Sequence, residues 1–386
     1  MSDITTEAWV LHRGQQGVPD AGVLKKELYS FPDITEDEVL VEPLFGSWEG
    51  NMSHALQRDP VDICRMRRED RIVLGNSGVL RVLRIGSRVS GLREGDLGVI
   101  APAGLCDKYG YLVKVVAYDA PHTVGLLAKQ TKFHKSQVVK LPYNTKYSLQ
   151  AWAAFSVRYS TAWSNWKIAY GCFRLQVPEA DEPAPFVCGW GGGTSLAEVS
   201  LARIFGCRAS LIASKESRLN LLKGMGIVPI DRRKFSALNF DHEKYESDRE
   251  YRKRYLQAEA TFLGIVREVT DGDGVAIFID NIGTPVVRAT LKALGRQGVI
   301  TTIGWKEGTS TCFSRPPECI NRHIHVHTHG SGLVEGADAL NFAEDNNWLP
   351  PVTGEVHAWN DIPQLAHDYA SGKIETYFPV YQVNSI

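Results

Sequence analysis

The 386-residue chain predicts an α/β fold, with a strand-rich barrel domain ahead of a doubly wound parallel sheet. Three observations carry this. From about residue 151 onward, apolar strand-like runs alternate with helical segments, the pattern of a parallel sheet with crossover helices. Residues 1 to about 150 hold short strand-like runs cut by Gly, Pro and Asp, as a barrel requires. The second half opens with Phe186-Val187-Cys188-Gly189-Trp190-Gly191-Gly192-Gly193-Thr194-Ser195, which reads as a strand, a glycine turn and the start of an apolar-faced helix. A dinucleotide-binding fold begins this way. A Cβ in the turn would hold the backbone away from a pyrophosphate, and the first N–H groups of the helix are free to bind it.

The barrel reading rests on runs such as Glu38–Pro43 and Val79–Gly86, followed by the turn and strand Leu92–Ile100. In the second half the expected strands are Phe186–Gly189, Ala209–Ala213, Ile227–Asp231, Val275–Asp280, Gly298–Gly304 and His323–His329. The charged stretch Phe235–Arg267 mixes both signs and reads as a solvated helix inserted before a crossover. From Leu340 the chain returns to short strands and one helix. The expected domains are therefore 1–150, completed by 335–386, and 151–334.

Composition narrows the function classes. Hydrophobic content of 44% and charged content of 23% are those of a globular protein. A net charge of −1 argues against nucleic acid or an anionic membrane as partner. Seven scattered cysteines with no CxxC fit reduced thiols, and no basic-then-apolar leader is visible. These features predict a cytoplasmic protein.

Five motifs in order resemble the medium-chain dehydrogenase/reductase superfamily. They are Leu92–Asp96 before a strand, Thr161-Ala162-Trp163, the Gly189–Gly193 turn, Phe278–Gly283, and Gly295–Gly304. The inserted charged helix and Ala293–Gly298 are most similar to its crotonyl-CoA carboxylase/reductase branch. The resemblance implies a Rossmann domain, a GroES-like catalytic domain, and a homodimer formed through the Rossmann edge strand. It places the turn residues Gly189, Gly191, Gly192, Gly193 and Thr194 on the cofactor, with Asn281 and Gly304 beside the nicotinamide.

The chain also departs from that pattern. The stretch Phe45–His54 has no Cys, and the family's usual Gly-His-Glu is Gly75-Asn76-Ser77. Without soft or imidazole ligands at either place nothing holds a catalytic zinc. Only Cys106 falls in the region of the structural zinc lobe, so no metal is expected. Ser195 stands where the last turn glycine is usual.

After the second strand comes Ala213-Ser214-Lys215-Glu216-Ser217-Arg218. Ser214, Lys215 and Arg218 suit a 2′-phosphate, which favours NADPH over NADH, with Glu216 as the contrary sign. Resembling zinc-free enzymes pass hydride to the β-carbon of an enoyl thioester, so NADP(H) and a CoA- or carrier-linked substrate are implied. The expected cleft wall comprises Trp48, Glu49, Asn51, His54 and Trp163, with Asn165 and His329 nearby. His54 and Glu49 are candidate acids, His54 equally reading as a capping or solvent-facing residue. Asn51 matches an Asn of the carboxylating branch, but Val124–Ala128 lacks the Phe-Glu pair of that pocket, which argues against carboxylation. Gly50 stands where an aromatic proton donor is usual.

Four histidines, His323, His325, His327 and His329, alternate in seven residues. In a strand they share one face. A pH-sensitive dimer seam, a solvated face and a metal site are the three readings. At the level of function, an enoyl reductase competes with a quinone or ketone reductase and with an NADPH-binding protein that has no catalysis.

Overall fold

The computed structural model describes residues 3–15, 21–59, 61–101, 103–304, 307–308, 320–330 and 335–386. Cys312, Cys319 and Ser331 lie outside them. In chain order the elements begin β1 (Ile4–His12), β2 (Leu24–Phe31), β3 (Glu38–Ser47), α1 (Gly50–Gln57), α2 (Ile63–Arg67), β4 (Arg71–Val73) and β5 (Gly78–Ile85). Then come β6 (Leu97–Ile100), β7 (Ala103–Cys106), β8 (Leu112–Val115), β9 (Thr131–His134), β10 (Val138–Lys140) and the long α3 (Leu149–Arg174). The second half holds β11 (Phe186–Trp190), α4 (Gly193–Ile204), β12 (Arg208–Ala213), α5 (Glu216–Gly224), β13 (Val228–Asp231), α6 (His242–Ser247) and α7 (Arg249–Val269). It continues with β14 (Val275–Asp280), α8 (Thr284–Ala293), β15 (Leu294–Thr302) and β16 (His325–Thr328). The chain closes with α9 (Glu335–Asn346), α10 (Ile362–Ala370) and β17 (Val380–Gln382).

The chain divides into two compact units, Met1–Thr161 with Ser331–Ile386, and Ala162–Gly330. The division falls inside α3, where the helix continues without a break.

In the second unit six parallel strands run in the order β13-β12-β11-β14-β15-β16. β11 is central, paired on both edges and buried at every position. This is why it reads as a continuous apolar run rather than an alternating one. The order reverses between β11 and β14, and in such sheets a ligand binds beyond the strand ends at that reversal.

The stretch expected to be a solvated helix is a packing element. Tyr255, Ala258, Phe262 and Val266 on α7 are buried against the sheet, and the charges occupy the outer face. Buried Glu259 on the same helix pairs with Lys292 at 2.5 Å.

In the first unit, a sheet ordered β10-β6-β5-β3-β17, with β9 also on β3, and a second sheet β2-β1-β4 enclose an apolar interior. β17 brings the C-terminal segment onto β3.

Candidate active site

The geometry of the glycine turn fits an anion. Gly191 has φ +130°, a backbone conformation that favours Gly, and nothing lies within 4 Å of a Cβ placed on exposed Gly192. Gly192 caps α4 without any side-chain hydrogen bond, so the first N–H groups of the helix are not taken by a capping side chain. The residues present therefore fit a dinucleotide pyrophosphate.

Ser195 at the usual glycine position acts as a tie. Its hydroxyl donates to Trp190 O at 2.7 Å and accepts from Asn281 Nδ2 at 2.9 Å. Asn281 Oδ1 in turn accepts from Ile303 N at 2.9 Å and Gly304 N at 3.3 Å. One side chain thus fastens the turn, the end of β14 and the segment after β15. Asp280 beneath it is buried, accepts from Ile282 N and Gly283 N, and takes the Thr290 hydroxyl at 2.8 Å.

At the end of β12 Ser214 is exposed, and Lys215 and Arg218 are half-buried. Glu216 is engaged by Arg233, whose Nη2 lies 2.8 Å from Oε2. Arg233 also grips Asp231 at 2.8 Å. The acidic residue that spoke against a 2′-phosphate is thus charge-compensated by a cation that the sequence reading did not single out. The signal was present in Arg232-Arg233-Lys234, directly after the third parallel strand.

Below α4 lies an uncharged-to-acidic network. Asn165 on α3 donates to Glu198 Oε1 at 2.7 Å and accepts from the Thr301 hydroxyl at 2.6 Å. All three side chains are buried. Burial pushes the Glu198 carboxyl up to about 8, against the pull of the Asn165 hydrogen bond. Asn165 was expected to face substrate; instead it is fully buried and spent on this network. Trp163 is half-buried, with Lys167 Nζ 5.8 Å from its ring.

In the first unit Trp48, Glu49, Asn51 and His54 lie together at the start of α1, but not as a uniform wall. Trp48 is fully buried, belongs to the apolar core and donates from Nε1 to Ser53 Oγ at 3.0 Å. The indole fills the core beneath α1, so the expectation of a substrate contact there is corrected. Glu49 is buried beside Arg158, with Nη1 and Oε1 2.8 Å apart. Arg158 also donates to Ser47 Oγ at 2.7 Å and to Trp48 O at 2.5 Å. Burial raises the Glu49 carboxyl, while Arg158 and Ser77 pull it back.

Asn51 keeps its Oδ1 buried without a hydrogen-bond partner. Burial holds half-buried His54 below its ordinary value. A Cβ placed on Gly50 would meet only the Tyr369 hydroxyl of α10 within 4 Å, at 3.9 Å. Tyr369 thus brings a phenol from α10 close to the residue that lacks the usual aromatic.

Zinc does not fit the two stretches that hold it in alcohol dehydrogenases of the superfamily. One offers a carboxylate already paired with Arg158, the other the amide of Asn76. Among the described residues no group of three His, Cys, Asp or Glu gathers as a metal site.

The histidine run is shorter as a strand than expected. His323 has φ +55°, so the alternation starts only at His325, on edge strand β16 beside β15. The four imidazoles therefore do not share one strand face. His329 Nε2 meets Ser164 Oγ at 2.5 Å. Burial, with His327 adding to it, lowers His329 to about 4, and burial lowers His327 too. His329 therefore stays neutral at pH 6, where the seam reading placed the repulsion.

No family model matches the chain. An acryloyl-coenzyme A reductase of Metallosphaera sedula is 23% identical over 295 residues, 74% of this chain and 76% of that one. A crotonyl-CoA carboxylase/reductase of Cereibacter sphaeroides is 21% identical over 369 residues, 92% of this chain and 82% of that one. The solved 2-octenoyl-CoA carboxylase reductase CinF, in complex with NADP and 2-octenoyl-CoA, superposes with a TM-score of 0.80 at 17% identity. That superposition covers 98% of this chain and 87% of CinF. The chain has the medium-chain dehydrogenase/reductase fold. An alcohol dehydrogenase of Aeropyrum pernix shares it, with a TM-score of 0.74 at 19% identity over 97% of this chain and 99% of that one. No helix among the described residues is long and apolar enough to cross a membrane.

Proposed function

We propose that this chain is a zinc-independent, NADPH-dependent reductase acting on a conjugated carbonyl, in the first place an enoyl thioester carried on CoA or a carrier arm. The observation that carries the reading is the open, uncapped turn at Gly191–Gly193 together with the Arg233–Glu216 pair at the end of β12. The sequence relatives support the substrate class, since both are named as reductases of acyl-CoA compounds.

NADPH, when bound, supplies a hydride. The chain's own residues do the rest. The N–H groups of α4 take the pyrophosphate. Ser214, Lys215 and Arg218 take the 2′-phosphate, and Asn281 and Gly304 border the nicotinamide. Asn51 offers a hydrogen bond, and His54 or the Tyr369 phenol a proton, from the α1 side. Trp163 and His329 remain candidate substrate contacts, and a homodimer through β16 is part of the same reading.

The test is NADPH oxidation followed at 25 °C with crotonyl-CoA and with a quinone, after titration of NADPH and NADH binding. Oxidation that depends on crotonyl-CoA, with NADPH bound more tightly than NADH, is expected. Turnover of the quinone alone shifts the assignment to a quinone reductase. Tight NADPH binding without turnover of either makes the chain a nucleotide-binding protein.

A further inference from the structure

We propose that Asn76 binds the carbonyl oxygen of the substrate, donating from its amide to the oxygen on which negative charge develops. This rests on the reductase reading above and names a residue of that site.

Asn76 lies in the short connection between β4 and β5 and is 1% exposed. Both its Nδ2 and its Oδ1 are buried without a hydrogen-bond partner. Buried side-chain amides nearly always find partners, because leaving one without a hydrogen bond forfeits its hydration for nothing. Such a group persists where it serves a ligand or an ordered water.

The backbone on either side is fixed, which makes the unpaired amide a held group and not a wandering one. Gly75 has φ +111°, and a Cβ there would meet Leu126 N at 2.9 Å. Gly75 O accepts from Leu126 N at 2.8 Å, and Ser77 O accepts from Ser47 N at 3.0 Å. The Ser77 hydroxyl donates to Ala153 O at 3.1 Å. Glu49 and Arg158 next to Ser77 form an ion pair with one another at 2.8 Å, and neither bonds to the Asn76 amide.

A neutral donor suits a thioester carbonyl. As hydride adds at the β-carbon, the C=C π electrons move to form an enolate, and charge collects on the carbonyl oxygen. Proton addition at the α-carbon then restores the carbonyl. A fixed N–H aimed at that oxygen strengthens as the charge grows and needs no reorganisation. A cation there would bind the neutral ground state little better than water does, and Arg158 is already spent on Glu49.

The experiment compares wild type, Asn76→Ala and Asn76→Asp in NADPH oxidation with crotonyl-CoA, with NADPH affinity and melting temperature as checks on folding. The expected result is a kcat about 100-fold lower for Asn76→Ala, with NADPH affinity unchanged and KM for crotonyl-CoA moved far less. Asn76→Asp, of the same size, is expected to lose at least as much, because a carboxylate there repels the enolate. Wild-type kcat and KM in either folded variant overturn the inference and leave the reductase reading standing; Asn76 then merely holds a structural water. A wild type idle with crotonyl-CoA overturns the thioester reading itself and this inference with it.

Discussion

Replacing Glu198 by Gln is expected to remove a steep loss of stability with rising pH. The carboxyl is fully buried on α4, accepts an amide from Asn165 at Oε1, and has Oε2 buried with no partner among the described residues. Its pKa rises from 4.5 to about 8, so the folded chain keeps a proton that the unfolded chain sheds. The sign follows directly. The stability contributed by the neutral acid is complete below the unfolded value and drains away as pH climbs towards the folded one. Each pH unit in that window costs about 1.4 kcal/mol, so roughly 3.4 kcal/mol is lost between about pH 5 and 7.5. Gln keeps the acceptor for Asn165 and never ionises. Urea unfolding followed by tryptophan fluorescence at several pH values is the assay. The gap between variant and wild type is expected to widen by about 3 kcal/mol over that interval. Parallel pH dependences in the two proteins would refute the argument, because they would mean that the carboxyl is ionised in the fold.

Three further outcomes are expected. Arg233→Ala frees Glu216 beside the proposed 2′-phosphate site and is expected to weaken NADPH about tenfold, roughly 1.4 kcal/mol, with NADH barely affected; fluorescence titration giving equal losses for both nucleotides counts against the pairing. Ser195→Ala breaks the tie between Trp190 O and Asn281 and is expected to cost about 1–3 kcal/mol in urea unfolding and to weaken nucleotide binding. Unchanged values in both measurements make Ser195 a passive replacement for glycine. Arg158→Met leaves the Glu49 carboxylate buried beside no cation and is expected to cost about 3–5 kcal/mol, most of it recovered by adding Glu49→Gln. Additive losses in that double mutant speak against the ion pair.

Much of the fold was legible in the sequence, and for a physical reason. Parallel strands covered on both faces must be apolar throughout, so Phe186–Gly189 and Val275–Asp280 stand out as unbroken runs within a residue of their observed limits. α7 was misjudged because its charges mask an apolar stripe at Tyr255, Ala258, Phe262 and Val266, a spacing of three to four that was there to be read. The site divides the same way. Backbone-built features such as the Gly191–Gly193 turn show in residue type alone. Side chains whose role depends on burial do not. Trp48 and Asn165 look like pocket residues until their exposure is known, and Glu198 looks like an ordinary helix-surface acid. Arg158 gave a hint: within Leu149–Trp166 it is the lone charged residue, so it had no polar face on which to sit.

The residues at the Ser47–Glu49 and Gly75–Ser77 stretches are ordered with respect to one another. Here a carboxylate and a guanidinium occupy the Ser47–Glu49 stretch, joined at 2.8 Å and held further by Ser47 Oγ and Trp48 O. An ion pair this deep contributes little to stability over an apolar filling. Its retention therefore points to placement: it fixes the loop before α1 and the Ser77 side of the β4–β5 connection. Between those fixed points Asn76 keeps both ends of its amide without a partner, which is what the proposed carbonyl contact requires.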